Sequence, residues 1–188
     1  MSPLKLTRLE PDRYRRTPWK NGGGVTTDIA AVGEVWRFSR TPITTAGPFS
    51  DYAGYDRLQV LVAGEGLVLQ TPDGEIDVRR PFEPVRFAGE TPIVSRLEHG
   101  PVEVVNLLGE RRAVRLDLSV PKRGLARPLG RGLHLAYCPA GSAILQLAGT
   151  QHLLHTEQTL RIEGALGESL TVVAGRIVLG SIECALPS

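Results

Sequence analysis

Aromatic residues make up only 5% of this 188-residue chain, so its core must be assembled mainly from Val, Leu, Ile and Ala. Cysteine occurs twice, at Cys138 and Cys184. That spacing excludes a Cys-x-x-Cys metal or redox motif, and two thiols fit a reducing cytosol better than a disulfide. Histidine is nearly as sparse, at His99, His134, His152 and His155. No His-x-His cluster with a following Glu occurs, and His152 and His155 would face opposite ways on a strand. No bound metal and no other cofactor are expected. No stretch approaches the ~20 apolar residues of a membrane helix. The opening MSPLKLTRLEPDRYRR carries charges where a signal peptide needs an apolar run. A cytoplasmic protein with no membrane partner is the expectation. The 22 basic and 20 acidic residues leave a formal charge of +2. The bases are scattered, which disfavours nucleic acid as a partner. There is no Gly-x-Ser-x-Gly elbow, and helical periodicity is almost absent.

What the chain does have is punctuation. Its 21 glycines and 14 prolines bound short β-type segments, among them 25–32, 34–43, 55–64, 66–72, 74–79, 84–89, 93–99 and 102–109. Further segments follow at 113–120, 132–139, 142–149, 152–164, 169–175 and 176–183. So many short strands at regular spacing predict an all-β barrel or sandwich. LVAGEGLVLQ (61–70) and QLAGTQHLLH (146–155) look alike at an offset of 85, which suggests two similar units in tandem. VPKRGLARPLGRG (120–132) lacks a strand pattern and reads as the linker between them.

The densest motif is PWKNGGGVTTDIA (18–30). A Walker loop ends in Gly-Lys-Ser/Thr at a helix start, whereas here Lys20 precedes the glycines and β-branched residues follow them. The glycines serve close approach of the backbone, but not to phosphate. Polar residues inside apolar strands are the remaining signal. In EVWRFSR, Arg37 and Ser39 share one face and Trp36 and Phe38 the other; in VTTDIA, Thr26 and Asp28 share a face. Arg57 opens the run LQVLV, Arg86 lies between Val85 and Phe87, and Asn106 interrupts VEVVNLL. Gathered in a barrel lumen, these residues would form a polar pocket preferring anions, since arginine's fork fits a carboxylate. Each also has a structural reading. Arg37 with Asp28 would fix register, Arg57 and Arg86 would stand on outward faces, and Asn106 would serve a bulge.

Four stretches carry a resemblance: PWKNGGGVTTDIA (18–30), WRFSRTPITTAGPFSDYAGYDR (36–57), LVAGEGLVL (61–69) and PFEPVRFAGETPI (81–93). In this order and spacing they resemble the HutD/Ves family of small bicupin proteins over roughly residues 8–112. The C-terminal third matches chiefly in its strand rhythm. The resemblance implies two tandem cupin-like β-barrels of the RmlC-like jelly-roll type. Residues 1–119 would form the barrel with the ligand pocket, and 120–188 a second barrel packed with it as one unit. It also implies a link to histidine utilisation, through binding of a pathway intermediate such as urocanate or N-formimino-glutamate, both carboxylates. The expected ligand-binding residues are Lys20, Asn21, Thr26, Asp28, Arg37, Ser39, Arg57, Arg86 and Asn106. Arg37 would grip the carboxylate, and Lys20 and Asn21 would sit at the rim. No residue is assigned a catalytic role, and a homodimer is compatible with the chain. PVEVVNLLGERR (101–112) departs from the family's DFNVMTRR-like strand at Val104, Val105, Leu108 and Glu110. That departure leaves ligand identity open and keeps a Ves-like stress role in view. The competing readings are a metal-independent isomerase or hydrolase with Asp28 as base, and an interaction module with a vestigial pocket.

Overall fold

The stretch VRLDLS alternates strictly: Val114, Leu116 and Leu118 are buried, while Arg115 and Asp117 are exposed. That period of two turns one side of a strand to the core and the other to water. It recurs through the strands of a computed structural model that describes residues 3–18 and 24–185. Among these residues the only helical element is the 3-10 turn Pro11–Arg13. No helix is long and apolar enough to cross a membrane.

The chain divides into two units, Tyr14–Leu116 and a second formed by Met1–Arg13 with Asp117–Ser188. Strand β1 (Lys5–Leu9) belongs to the second. The first unit runs β2 (Arg15–Pro18), β3 (Val25–Val32), β4 (Trp36–Ile43), β5 (Gly47–Pro48), β6 (Tyr55–Ala63), β7 (Leu67–Thr71), β8 (Gly74–Val78), β9 (Val85–Ala88), β10 (Val94–Leu97) and β11 (Val102–Glu110). Its sheets have the orders β2-β3-β4-β11-β6-β9 and β5-β10-β7-β8. The chain continues through β12 (Val114–Ser119), β13 (Ala126–Pro128), β14 (Leu133–Tyr137), β15 (Ser142–Leu147), β16 (Thr150–His155), β17 (Thr159–Glu163), β18 (Ser169–Ala174) and β19 (Val178–Cys184). These form sheets of order β1-β17-β14-β19-β12 and β13-β18-β15-β16. The orders repeat: β9-β6-β11-β4 answers to β17-β14-β19-β12, and β5-β10-β7-β8 to β13-β18-β15-β16.

Three expectations need correction. The similarity of residues 61–70 to 146–155 is not the structural duplication. The first stretch carries the chain from one sheet to the other, whereas the second is the β15–β16 hairpin within one sheet. The counterpart of that hairpin is β7–β8, which begins at Leu67, 75 residues before Ser142. Residues 120–132, read as a strandless linker, contain β13, which pairs with β18. The expected division after residue 119 also left the first residues in the N-terminal barrel. Instead β1 lies antiparallel to β17, Lys5 opposite Glu163 and Leu9 opposite Thr159. Gln158 fastens it, donating through Nε2 to Glu10 at 2.7 Å and accepting from Arg8 at 3.1 Å.

The first unit closes over Ile43, Leu61, Leu67, Leu69, Val102 and Val104, drawn from both of its sheets. The second closes over a more continuous apolar set that includes Ala136, Leu145, Leu154, Leu160, Ile162 and Leu179. Each fully buried leucine or isoleucine in these clusters contributes ~1.5–3 kcal/mol of transfer free energy. Both cysteines are free, Cys138 buried and Cys184 exposed.

Candidate ligand site in the N-terminal barrel

Antiparallel register sets which side chains meet, because directly opposed residues share a face. Across the larger sheet of the first unit, Thr41 opposes Val104, which opposes Leu61. One step on, Asp28, Ser39, Asn106 and Gln59 form a row across four strands. The next row reads Arg37, Leu108, Arg57 and Phe87. The face therefore grades from aliphatic to polar to cationic along the strands, starting from the apolar core at Ile43, Leu61 and Val104. A bulge between Asp28 and Ala30 shifts the phase of β3 and lets Asp28 be buried beside Ile29.

The polar row is wired internally. Gln59 Nε2 donates to Asn106 Oδ1 at 2.9 Å, and Asn106 Nδ2 donates to Thr41 Oγ1 at 3.3 Å. Thr41 in turn shares a hydrogen bond of 3.3 Å with Thr26. Thr17 donates to Asp28 Oδ2 at 3.3 Å, and Arg37 Nε lies 3.4 Å from Asp28 Oδ1. Gln59 Oε1 is buried without a hydrogen-bond donor.

Arg57 differs from every other arginine of the group. Its guanidinium carbon lies 5.0 Å from the Phe49 ring centroid, 5.4 Å from Tyr52 and 5.1 Å from Phe87. Nη1 donates to the Ser50 carbonyl at 3.2 Å. No carboxylate among the described residues pairs with it. Burial in this aromatic cage pulls its pKa down to about 10, so at neutral pH it remains a cation, poorly solvated and without a counter-ion. Gly89 lets the cage close. Its N–H donates to the Tyr55 carbonyl at 2.8 Å, and its own carbonyl accepts from Tyr52 N–H at 3.0 Å. A Cβ at this position would run into the Tyr52 carbonyl.

The structure thus brings together Thr26, Asp28, Arg37, Ser39, Arg57 and Asn106. It separates Arg86, which pairs with Leu58 on the opposite face, bonds Asp56 at 2.9 Å and donates to the Leu116 carbonyl. Alternation explains this, because Arg86 is one residue out of phase with Val85 and Phe87. Lys20 and Asn21 lie outside the described residues. Thr17, Thr41, Gln59 and the ring pair Phe49 and Tyr52 join the site without having stood out in the sequence pattern. Gln59 was legible, since it stands two residues after Arg57 on the same strand face. The rings come from a loop and left no periodic signal. Two surface hollows of this unit, one at Gln70 and Pro92 and another at Glu34 and Arg112, include no residue of these rows. No three His, Cys, Asp or Glu side chains gather among the described residues. Arginines and amides are a donor set that does not fit a transition metal.

The HutD family model matches residues 11–179. The chain belongs to the HutD family. It is 35% identical over 114 residues to an uncharacterized 21.2 kDa protein in the hutC 3′ region of Pseudomonas putida, covering 57% of this chain and 59% of that one. It is 29% identical over 87 residues to protein Ves of Escherichia fergusonii, covering 44% of this chain. The matched stretches thus span 59% and 46% of the lengths of these two relatives. HutD of Pseudomonas fluorescens SBW25, solved in a formate condition, is similar at TM-score 0.81 and 26% identity, over 96% of this chain and 100% of that one. Oxalate decarboxylase of Bacillus subtilis, at 8% identity and TM-score 0.57 over 93% of this chain and 76% of that one, shows the shared cupin fold alone. Family membership suggests a role linked to histidine utilisation.

Proposed function

We propose that the protein binds a small carboxylate metabolite in the N-terminal barrel, an intermediate of histidine degradation such as urocanate or N-formimino-glutamate, and thereby moderates histidine utilisation in the cytoplasm. The observation that carries this reading is Arg57, a desolvated guanidinium without an acid partner beside a polar row. A carboxylate there gains two charge-assisted hydrogen bonds and relieves an uncompensated charge. This moves the gripping role from Arg37, which already has Asp28 as a partner at 3.4 Å, to Arg57. Ser39, Thr26 and Asn106 would orient the rest of the ligand. Support also comes from the family assignment.

The test is a thermal-shift panel with urocanate, N-formimino-glutamate, histidine, glutamate and formate, with and without divalent metal. A ligand at 100 times its Kd stabilises by about 2.7 kcal/mol, which for a chain of this size raises Tm by roughly 5–11 °C. A metal-independent shift with one acid, abolished by Arg57→Gln, is expected. A shift that needs metal, or survives Arg57→Gln, overturns the reading. Consumption of the bound acid would instead favour an isomerase or hydrolase using Asp28.

A further inference from the structure

We infer that β16 is a self-association edge, through which two copies of this chain pair antiparallel about a two-fold axis at His152. The strand ends the sheet β13-β18-β15-β16. It joins β15 through the two-residue turn Ala148–Gly149, both at positive φ, with Leu147 opposite Thr150. In such a hairpin the closing pair is hydrogen-bonded and the pattern alternates. Thr150, His152 and Leu154 therefore bond β15, while Gln151, Leu153 and His155 turn their backbone groups outward. His155 agrees, for its N–H is taken by the Gln158 side chain at 2.8 Å. The N–H and C=O of Gln151 and Leu153 remain for a neighbour. A two-fold at His152 sets Gln151 of one copy opposite Leu153 of the other, and the reverse, closing four backbone hydrogen bonds.

Charge decides that a second copy fits. Symmetric pairing sets a strand against itself, so any acid or base on the strand meets its own kind. TQHLLH contains no Asp, Glu, Lys or Arg and no proline. Its outward Leu153 is 44% exposed and opposes the half-buried Ile144, extending an apolar row to the edge. The matching edge of the other unit, β8, is guarded. There Glu75 and Asp77 stand exposed, held by Arg79 at 3.2 and 3.4 Å. Edges that must remain single carry such charges, and β16 does not.

Five residues of ladder from each copy make a small interface, so association is weak and must be sought over about 1 μM to 1 mM. Sedimentation equilibrium of the full chain is expected to show the 20.4 kDa species giving way to one of twice that mass as concentration rises. Leu153→Lys should weaken this at least about tenfold by placing like charges beside the axis. Val94→Lys, at a similarly exposed valine on the other unit, should leave it unchanged. Both sites are on the surface, so melting temperatures should match the parent. A parent that stays monomeric throughout overturns the inference. So does a dimer indifferent to Leu153→Lys or equally sensitive to Val94→Lys.

Discussion

Replacing Arg57 by methionine separates a residue that waits for an anion from one that holds the fold. The linear side chain of Met retains the apolar stem inside the rings of Phe49, Tyr52 and Phe87 and removes the charge. Burial lowers the guanidinium pKa to about 10. As an upper figure, the folded chain therefore holds the cation roughly 3 kcal/mol less favourably than water does. Three ring contacts at about 0.5–1 kcal/mol each return around half or more of that. The bond to the Ser50 carbonyl adds about 1 kcal/mol. The opposing contributions nearly cancel.

Arg57→Met should accordingly leave the ligand-free protein within about 1 kcal/mol of the parent, a Tm change of no more than roughly 2–4 °C. The ligand-induced shift should disappear. Breaking a buried ion pair, by contrast, costs about 3–5 kcal/mol. Differential scanning calorimetry with and without the acid that scores in the thermal-shift panel reads both quantities on one sample. A ligand-free variant that melts far below the parent refutes the reasoning, because Arg57 would then be structural. A ligand shift that persists refutes it from the other side.

Gly89→Ala should push the Tyr52 segment off the barrel and weaken anion binding at least about tenfold, which titration calorimetry with the same acid would measure; unchanged affinity would mean that Tyr52 does not complete the site. Ala148 adopts φ 48° in a turn that prefers Asn-Gly. Ala148→Asn should therefore raise stability by about 0.5–1 kcal/mol in denaturant titrations. His134 is buried, with Nδ1 against Ser181 at 2.8 Å and Nε2 against the Gly130 carbonyl at 3.1 Å. Burial pushes its pKa below the ordinary value. The unfolded chain then binds the proton first, so stability should fall as pH drops below about 6.5 and stay level above it. His134→Gln should flatten that slope, whatever it does to stability at neutral pH.

The sheets were legible where both faces of a strand have a fate. VTTDIAAV was read at 25–32, the bounds of β3, and VEVVNLLG fell one residue short of β11. What escaped were short edge pieces whose order comes from a partner rather than a pattern. KLTRL, RRTP and ARP hold five arginines and lysines among twelve residues, show no alternation and pair on one side only. HLLHTEQTLRIEG, read as one strand, breaks into β16 and β17 around Glu157 at φ 65°. No Gly or Pro between His152 and Glu163 announces that turn. In the site, faces followed from alternation, so Arg37 with Ser39 and Thr26 with Asp28 were readable. Two things were not. Phase across strands decided that Arg57 lies in the row of Arg37 while Arg86 does not, and phase depends on register. The aromatic cage depends on a loop docking against Gly89, which no periodicity encodes.

The two units show how little of this chemistry belongs to the fold. Strand order repeats between them, yet their central rows differ. In one, Phe87, Arg57, Leu108 and Arg37 lie next to Val85, Gln59, Asn106 and Ser39. In the other, Ile162, His134 and Ser181 lie next to Leu160, Ala136 and Leu179. His134 is the one imidazole in those rows, and both of its nitrogens are already engaged. These rows of the second interior are thus filled and satisfied, although Ser119 Oγ and His152 Nε2 elsewhere in that unit are buried without a hydrogen-bond partner. The first leaves a cation without an anion and the Gln59 oxygen without a donor. Such unfinished valences cost stability, and they persist where a ligand can complete them. Arg57→Met combined with Gln59→Leu should therefore give a first unit at least as stable as the parent without ligand and blind to every acid in the panel. A double variant that unfolds would mean that these groups are finished within the protein, and the site would have to be sought elsewhere.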